Sequence, residues 1–124
     1  MKLFKISALY FSILILLLSQ IAPSNATVQD LKALNDEVKE LASKIKQGYA
    51  ARDNAIAAGE AKLACDFQVG IILSFIELKE IHNKKVKIFQ SHGMLTAQQR
   101  ELEVLAALDK LGESEYSVFN RSCR

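Results

Sequence analysis

From Val28 onward, apolar residues recur at steps of three and four: Val28, Leu31, Leu34, Val38, Leu41 and Ile45. On an α-helix that spacing draws a single stripe, so it predicts an amphipathic helix over about 28–47. Asp30, Asp36, Glu37 and Glu40 lie towards its start, and Lys44 and Lys46 lie at its end, in the sense favoured by the helix dipole. Gly48 follows and suits a left-handed cap. The next stretch, 49–64, is rich in alanine, the best helix former. Gly48, Gly59 and Gly70 recur at an interval near three helical turns. Two expectations stay open here. Either the glycines share a smooth face on one continuous helix, or Gly48 or Gly59 ends the helix.

The pattern thickens after Cys65. Phe67, Val69, Ile71, Ile72, Leu73, Phe75, Ile76, Leu78 and Ile81 leave almost no polar face between 69 and 76. A helix apolar all round is expected to be buried on several sides, so 65–90 reads as the central helix of a bundle. The run between Asp66 and Glu77 is too short to span a bilayer. Ser91-His92-Gly93 breaks the pattern. Thr96 with Gln99 three residues on has the spacing of a capping box. Leu102, Leu105, Leu108 and Leu111 are then expected to carry a buried stripe that Gly112 closes. Tyr116 and Phe119 follow at helical spacing before Cys123. No proline occurs beyond Pro23, so nothing interrupts long helices.

The residues before this pattern read as an address. Lys2 and Lys5 precede an apolar run, Ile6 to Leu18, and Pro23 leads into the small residues Ser24-Asn25-Ala26. That is the layout of a secretory signal peptide over 1–26, which leaves 27–124 as a single helical domain. The expected fold class is all-α, a small bundle of three or four helices, and the expected location is periplasmic or secreted.

Charge changes the picture little. The formal net charge of +2 equals the contribution of Lys2 and Lys5, so the remainder is balanced. A balanced surface offers no field to collect nucleic acid, and no membrane contact is expected once the leader is removed. Lys79, Lys84, Lys85 and Lys87 form a local excess that reads as a solvated helix face. Cys65 and Cys123 form an even pair, and in an oxidising compartment they are expected to make a disulfide. Closing a loop of about sixty residues would stabilise by ~4 kcal/mol in the chain-entropy model. An inter-chain bond is the alternative.

Candidate chemistry is sparse. His82 and His92, the two histidines, lack a carboxylate or cysteine at helical metal-site spacing, and His82 reads as an exposed flank. Neither a phosphate-binding glycine loop, a serine elbow nor a Cys-x-x-Cys pair occurs. Glu77 and Glu80 read as solvated charges rather than an acid–base pair. Asn25-Ala26-Thr27 and Asn120-Arg121-Ser122 are Asn-x-Ser/Thr triplets of a kind that chance supplies often.

No catalysis, metal or cofactor is therefore expected. The first expectation is recognition of another protein, as an inhibitor, immunity-like or accessory factor. The Ala/Gly face of 48–61 would make the contact, with Gly48 and Gly59 in its floor and Tyr49 and Arg52 as anchors. A second expectation is a carrier whose Phe67, Phe75, Phe89 and Phe119 line an apolar cavity. A third is a membrane-tethered rod cross-linked through its cysteines. In general layout, with an apolar start, a charged helix and a Cys123-Arg124 end, that rod is similar to an inner-membrane spanin of phage lysis. The oligomeric state is not legible from these residues.

Overall fold

The computed structural model describes residues 24–124, with side chains described from Thr27. The expected leader thus falls almost wholly outside the described residues. Three helices follow one another: α1 (Ser24–Ala57), α2 (Ala61–Ser91) and α3 (Leu95–Ser122). The chain divides into two compact units, Met1–Ala33 and Leu34–Arg124. Of the first, the described part is the opening of α1, where Val28 is exposed and Leu31 half-buried. The second holds the bundle.

Both reversals of direction use the same device. Gly59 and Gly93 have φ of +75° and +66°, the left-handed region that glycine enters without steric penalty. Around the first, the Gly59 N–H donates to the Ile56 carbonyl and the Glu60 N–H reaches back to Ala55, at 3.0 and 2.9 Å. Around the second, the Gly93 N–H donates to Gln90 and the Met94 N–H to Phe89, at 3.2 and 2.9 Å. These paired bonds are Schellman motifs, which satisfy the last carbonyls of a helix and fold the chain back.

The core assembles from one seam per helix. Leu41 and Ile45 of α1, Ile71, Phe75, Leu78 and Ile81 of α2, and Leu108 of α3 are buried together. Leu34, Val38 and Tyr49 pack against them. Along α2, Ala64, Gln68, Ile71, Phe75, Leu78, His82 and Lys85 are buried, with Ile81 beside them. The first seven alternate steps of four and three, which is the heptad spacing of helices packed knobs into holes. Beyond the apolar centre, Cys65 and Cys123 are bonded to each other, with Cα atoms 5.7 Å apart. The end of α3 is thereby tied to the start of α2, as expected, and the cysteines make no link to a second chain.

Several expectations are corrected. Gly48 does not cap a helix; α1 runs through it to Ala57. Its role is close approach, because a Cβ there would meet Cγ1 of Ile71 at 3.0 Å. Gly59 is the breaker. Of the expected α3 stripe only Leu108 is buried, with Leu105 half-buried and Leu102 and Leu111 exposed, because the seam turned to α1 and α2 runs instead through Glu101, Leu108 and Glu115. Gly112 does not close α3, which continues to Ser122 because that seam continues past it through half-buried Glu115 and Phe119. Thr96 makes no capping box: α3 starts at Leu95 behind Met94, with no side-chain cap bond, since the Gly93 turn already sets the helix start. The central helix is not buried all round. With three helices in the bundle, its outer face is left to solvent.

Candidate interaction surfaces

Tyr49 and Arg52, the residues expected to anchor a partner, stand one turn apart on α1 and point towards α2 and α3. The Arg52 Nη1 donates to Gln68 Oε1 at 2.8 Å and lies 3.3 Å from Glu115 Oε2. Gln68, only 1% exposed, returns its amide to the Glu115 carboxylate at 2.7 Å and to the Glu115 backbone carbonyl at 2.8 Å. The Tyr49 hydroxyl donates to the other Glu115 oxygen at 2.7 Å, while its ring lies 4.9 Å beneath the Arg52 guanidinium carbon. Burial, followed by the bond and charge of Glu115, holds the Tyr49 phenol well above its ordinary titration range. This is a closed ring of donors and acceptors between three helices. Of the other two expected contact residues, Gly48 sits under Ile71 and Gly59 lies exposed in the first turn. The structure therefore brings Tyr49 and Arg52 together but leaves Gly59 apart from them.

A second polar cluster lies at the opposite end of the α2 seam, and sequence reasoning missed it. His82, expected on an exposed flank, is buried, and its Nδ1 lies 2.5 Å from Glu101 Oε2. Lys85, expected in a solvated lysine face, is also buried, with Nζ 2.6 Å from the other Glu101 oxygen. Glu101 thus receives one donor on each carboxylate oxygen, the arrangement that makes a buried charge tolerable. Extending the inward spacing of α2 by two further steps, from Leu78 to His82 and Lys85, would have found both. Beside this cluster, Lys79 bridges to Asp109 of α3.

The remaining surface features differ in character. A depression of about 510 Å³ on the last turns of α3 is lined by Ser114, Ser117, Asn120 and Arg121. Asn120 Oδ1 is buried there without a hydrogen-bond partner. The side chains around it are of polar type and come from the last turns of α3 alone. Of the phenylalanines, Phe75 fills the core, and Phe67, Phe89 and Phe119 are half-buried.

The outer face of α2 is apolar where solvent meets it. Val69, Leu73 and Ile76 are 40%, 54% and 50% exposed. They stand at steps of four and three, on the side of the helix turned away from Ile71, Phe75 and Leu78. Exposed Lys62 and Asp66 precede them, and Glu80, Asn83 and Lys87 continue the same spacing beyond. α2 therefore carries two heptad seams, one filled by α1 and α3 and one bare.

Among the described residues there is no group of three or more His, Cys, Asp or Glu that could hold a metal ion. No described helix is long and apolar enough to cross a membrane. Comparison with known proteins found no family model, no curated protein and no solved structure that matches the chain.

Proposed function

We propose that this is an exported, non-catalytic helical protein, periplasmic or secreted, that acts by binding another protein as an inhibitor, immunity-like or accessory factor. The observation that carries this reading is the bare seam Val69–Leu73–Ile76 at the middle of α2. Three aliphatic side chains in register stand about half-exposed on one helix face, and an apolar strip with a charged rim is the usual anatomy of a recognition surface. The disulfide fits export, because such bonds persist in oxidising compartments. Tyr49 and Arg52 are held inside the bundle by Glu115 and Gln68, so the contact is assigned to α2 rather than to the 48–61 face.

The test is a photo-reactive side chain placed at Leu73, with one at exposed Lys110 as control, in the cell that makes the protein. The expected result is a discrete covalent protein adduct from position 73 and none from 110. Equal labelling at both positions, or none at 73, removes the reading.

A further inference from the structure

We infer that the outer seam of α2 is a self-complementary dimer interface, occupied by the same seam of a second copy running antiparallel. The inference rests on the reading above only in taking the bare seam as a recognition surface; the occupant it gives that seam is a second copy of this chain.

The argument is one of register. The seam reads Lys62, Asp66, Val69, Leu73, Ile76, Glu80. A parallel pairing would set Lys62 against Lys62 and Glu80 against Glu80 of the partner chain, which is repulsive at both ends. An antiparallel pairing that sets Leu73 opposite Ile76 would bring Lys62 against Lys87, again like charges. Setting Val69 opposite Leu73 instead brings Lys62 opposite Glu80, and the two-fold axis repeats both contacts. That register sets Val69 against Leu73 twice about the axis, places Asp66 beside Ile76 at the edge of the apolar strip, and puts opposite charges at both ends. An interface of this kind closes on itself with two copies, as two-fold interfaces do.

Gly70 supports the same axis. It lies inside a helix, where glycine is unfavourable by about 1 kcal/mol relative to alanine, yet a Cβ there would meet nothing within 4 Å. Nothing within the chain requires its small size. In the register given, Gly70 lies beside the two-fold axis and faces Gly70 of the other copy, where a missing side chain lets two backbones approach. Half-buried Ile72 faces its own mate on the opposite flank. The apolar strip is short, so the expected dimer is one that dissociates on dilution rather than an obligate pair.

The experiment is sedimentation equilibrium on the chain recovered from its producing cell, disulfide intact, from ~1 µM to ~1 mM, a range that brackets weak association. The mass is expected to climb from one chain towards two. Leu73→Glu should hold it at one chain throughout. Lys62→Glu should weaken association by about tenfold, by setting like charges at both ends of the seam. Combining it with Glu80→Lys should recover the original strength. These positions are exposed, so circular dichroism of each variant should match the parent.

A single-chain mass at every concentration overturns the inference, as does a dimer that survives Leu73→Glu. Failure of the double exchange to recover association overturns the register. A single-chain mass together with a foreign-protein adduct from position 73 would remove the self-pairing and leave the recognition reading standing. Loss of both would remove both.

Discussion

The two faces of α2 have nearly the same grammar and opposite fates. Inward, Ile71, Phe75 and Leu78 are packed between α1 and α3; outward, Val69, Leu73 and Ile76 stand at the same levels and meet water. The polar residues flanking each centre separate them further. Those of the inner seam are matched: Gln68 bonds Arg52 and Glu115, and His82 and Lys85 share Glu101. Those of the outer seam, Lys62, Asp66, Glu80 and Lys87, are exposed. A heptad seam states that a helix can pack there. Whether it does depends on how many helices the chain supplies.

The largest expected effect is at Glu101. Glu101→Ala would leave His82 and Lys85 buried without their acceptor and should destabilise by about 3–5 kcal/mol, measured by urea denaturation. A loss under about 1 kcal/mol would mean that water enters this end of the bundle and the cluster is not a dry one. Next comes a matched pair of truncations on the two seams. Ile71→Ala, at a side chain 1% exposed, should lower stability by about 2–5 kcal/mol, whereas Leu73→Ala should stay within about 0.5 kcal/mol. Equal effects would erase the distinction between the faces, unless the Leu73 effect vanished on dilution.

Tyr49 gives a pH handle on the inner network. Its phenol titrates higher in the folded chain than its ordinary value, because burial and Glu115 disfavour the phenolate. The contribution is therefore fully present below about pH 10, where the unfolded chain keeps the proton, and it is lost as pH rises towards the folded value. Tyr49→Phe should lower stability by about 1–2 kcal/mol at neutral pH, and the gap between variant and parent should narrow above about pH 10. A gap that stayed constant to pH 11.5, well above the ordinary phenol value of about 10, would show that the hydroxyl is not held as described.

The smallest effects separate two helical glycines. Gly48→Ala should destabilise by about 1 kcal/mol, since overpacking against the fully buried Ile71 side chain outweighs the gain in helix propensity. Gly112→Ala, with open space around it, should stabilise by about 0.5–1 kcal/mol. Thermal melts of the two variants should move in opposite directions.

Much of the fold was written in the spacing. The stripe of α1, the dense centre of α2, the turn at Gly93 and the cysteine pair each follow from local rules, because they depend on periodicity, backbone freedom or covalent need. The expected contact surface was less legible. Tyr49 and Arg52 carry the residue types of a binding anchor, and the same aromatic and cationic chemistry serves equally to close an internal network. His82 and Lys85 were misplaced for a related reason: charge argues for the surface, and only a carboxylate from a distant helix argues otherwise.

By itself, the sequence determined that this chain is helical, where Gly93 must turn it, and which aliphatic residues could form seams. It did not determine which of Gly48, Gly59 and Gly112 breaks a helix, because a glycine permits a left-handed turn, a close approach or neither. The tertiary structure decided that by placing Ile71 against Gly48 and continuing the seam past Gly112. It also decided which polar residues are interior, because Glu101 and Glu115 of α3 become partners only after the bundle brings them beside α2. Periodicity is a property of one helix; burial and partnership are properties of three.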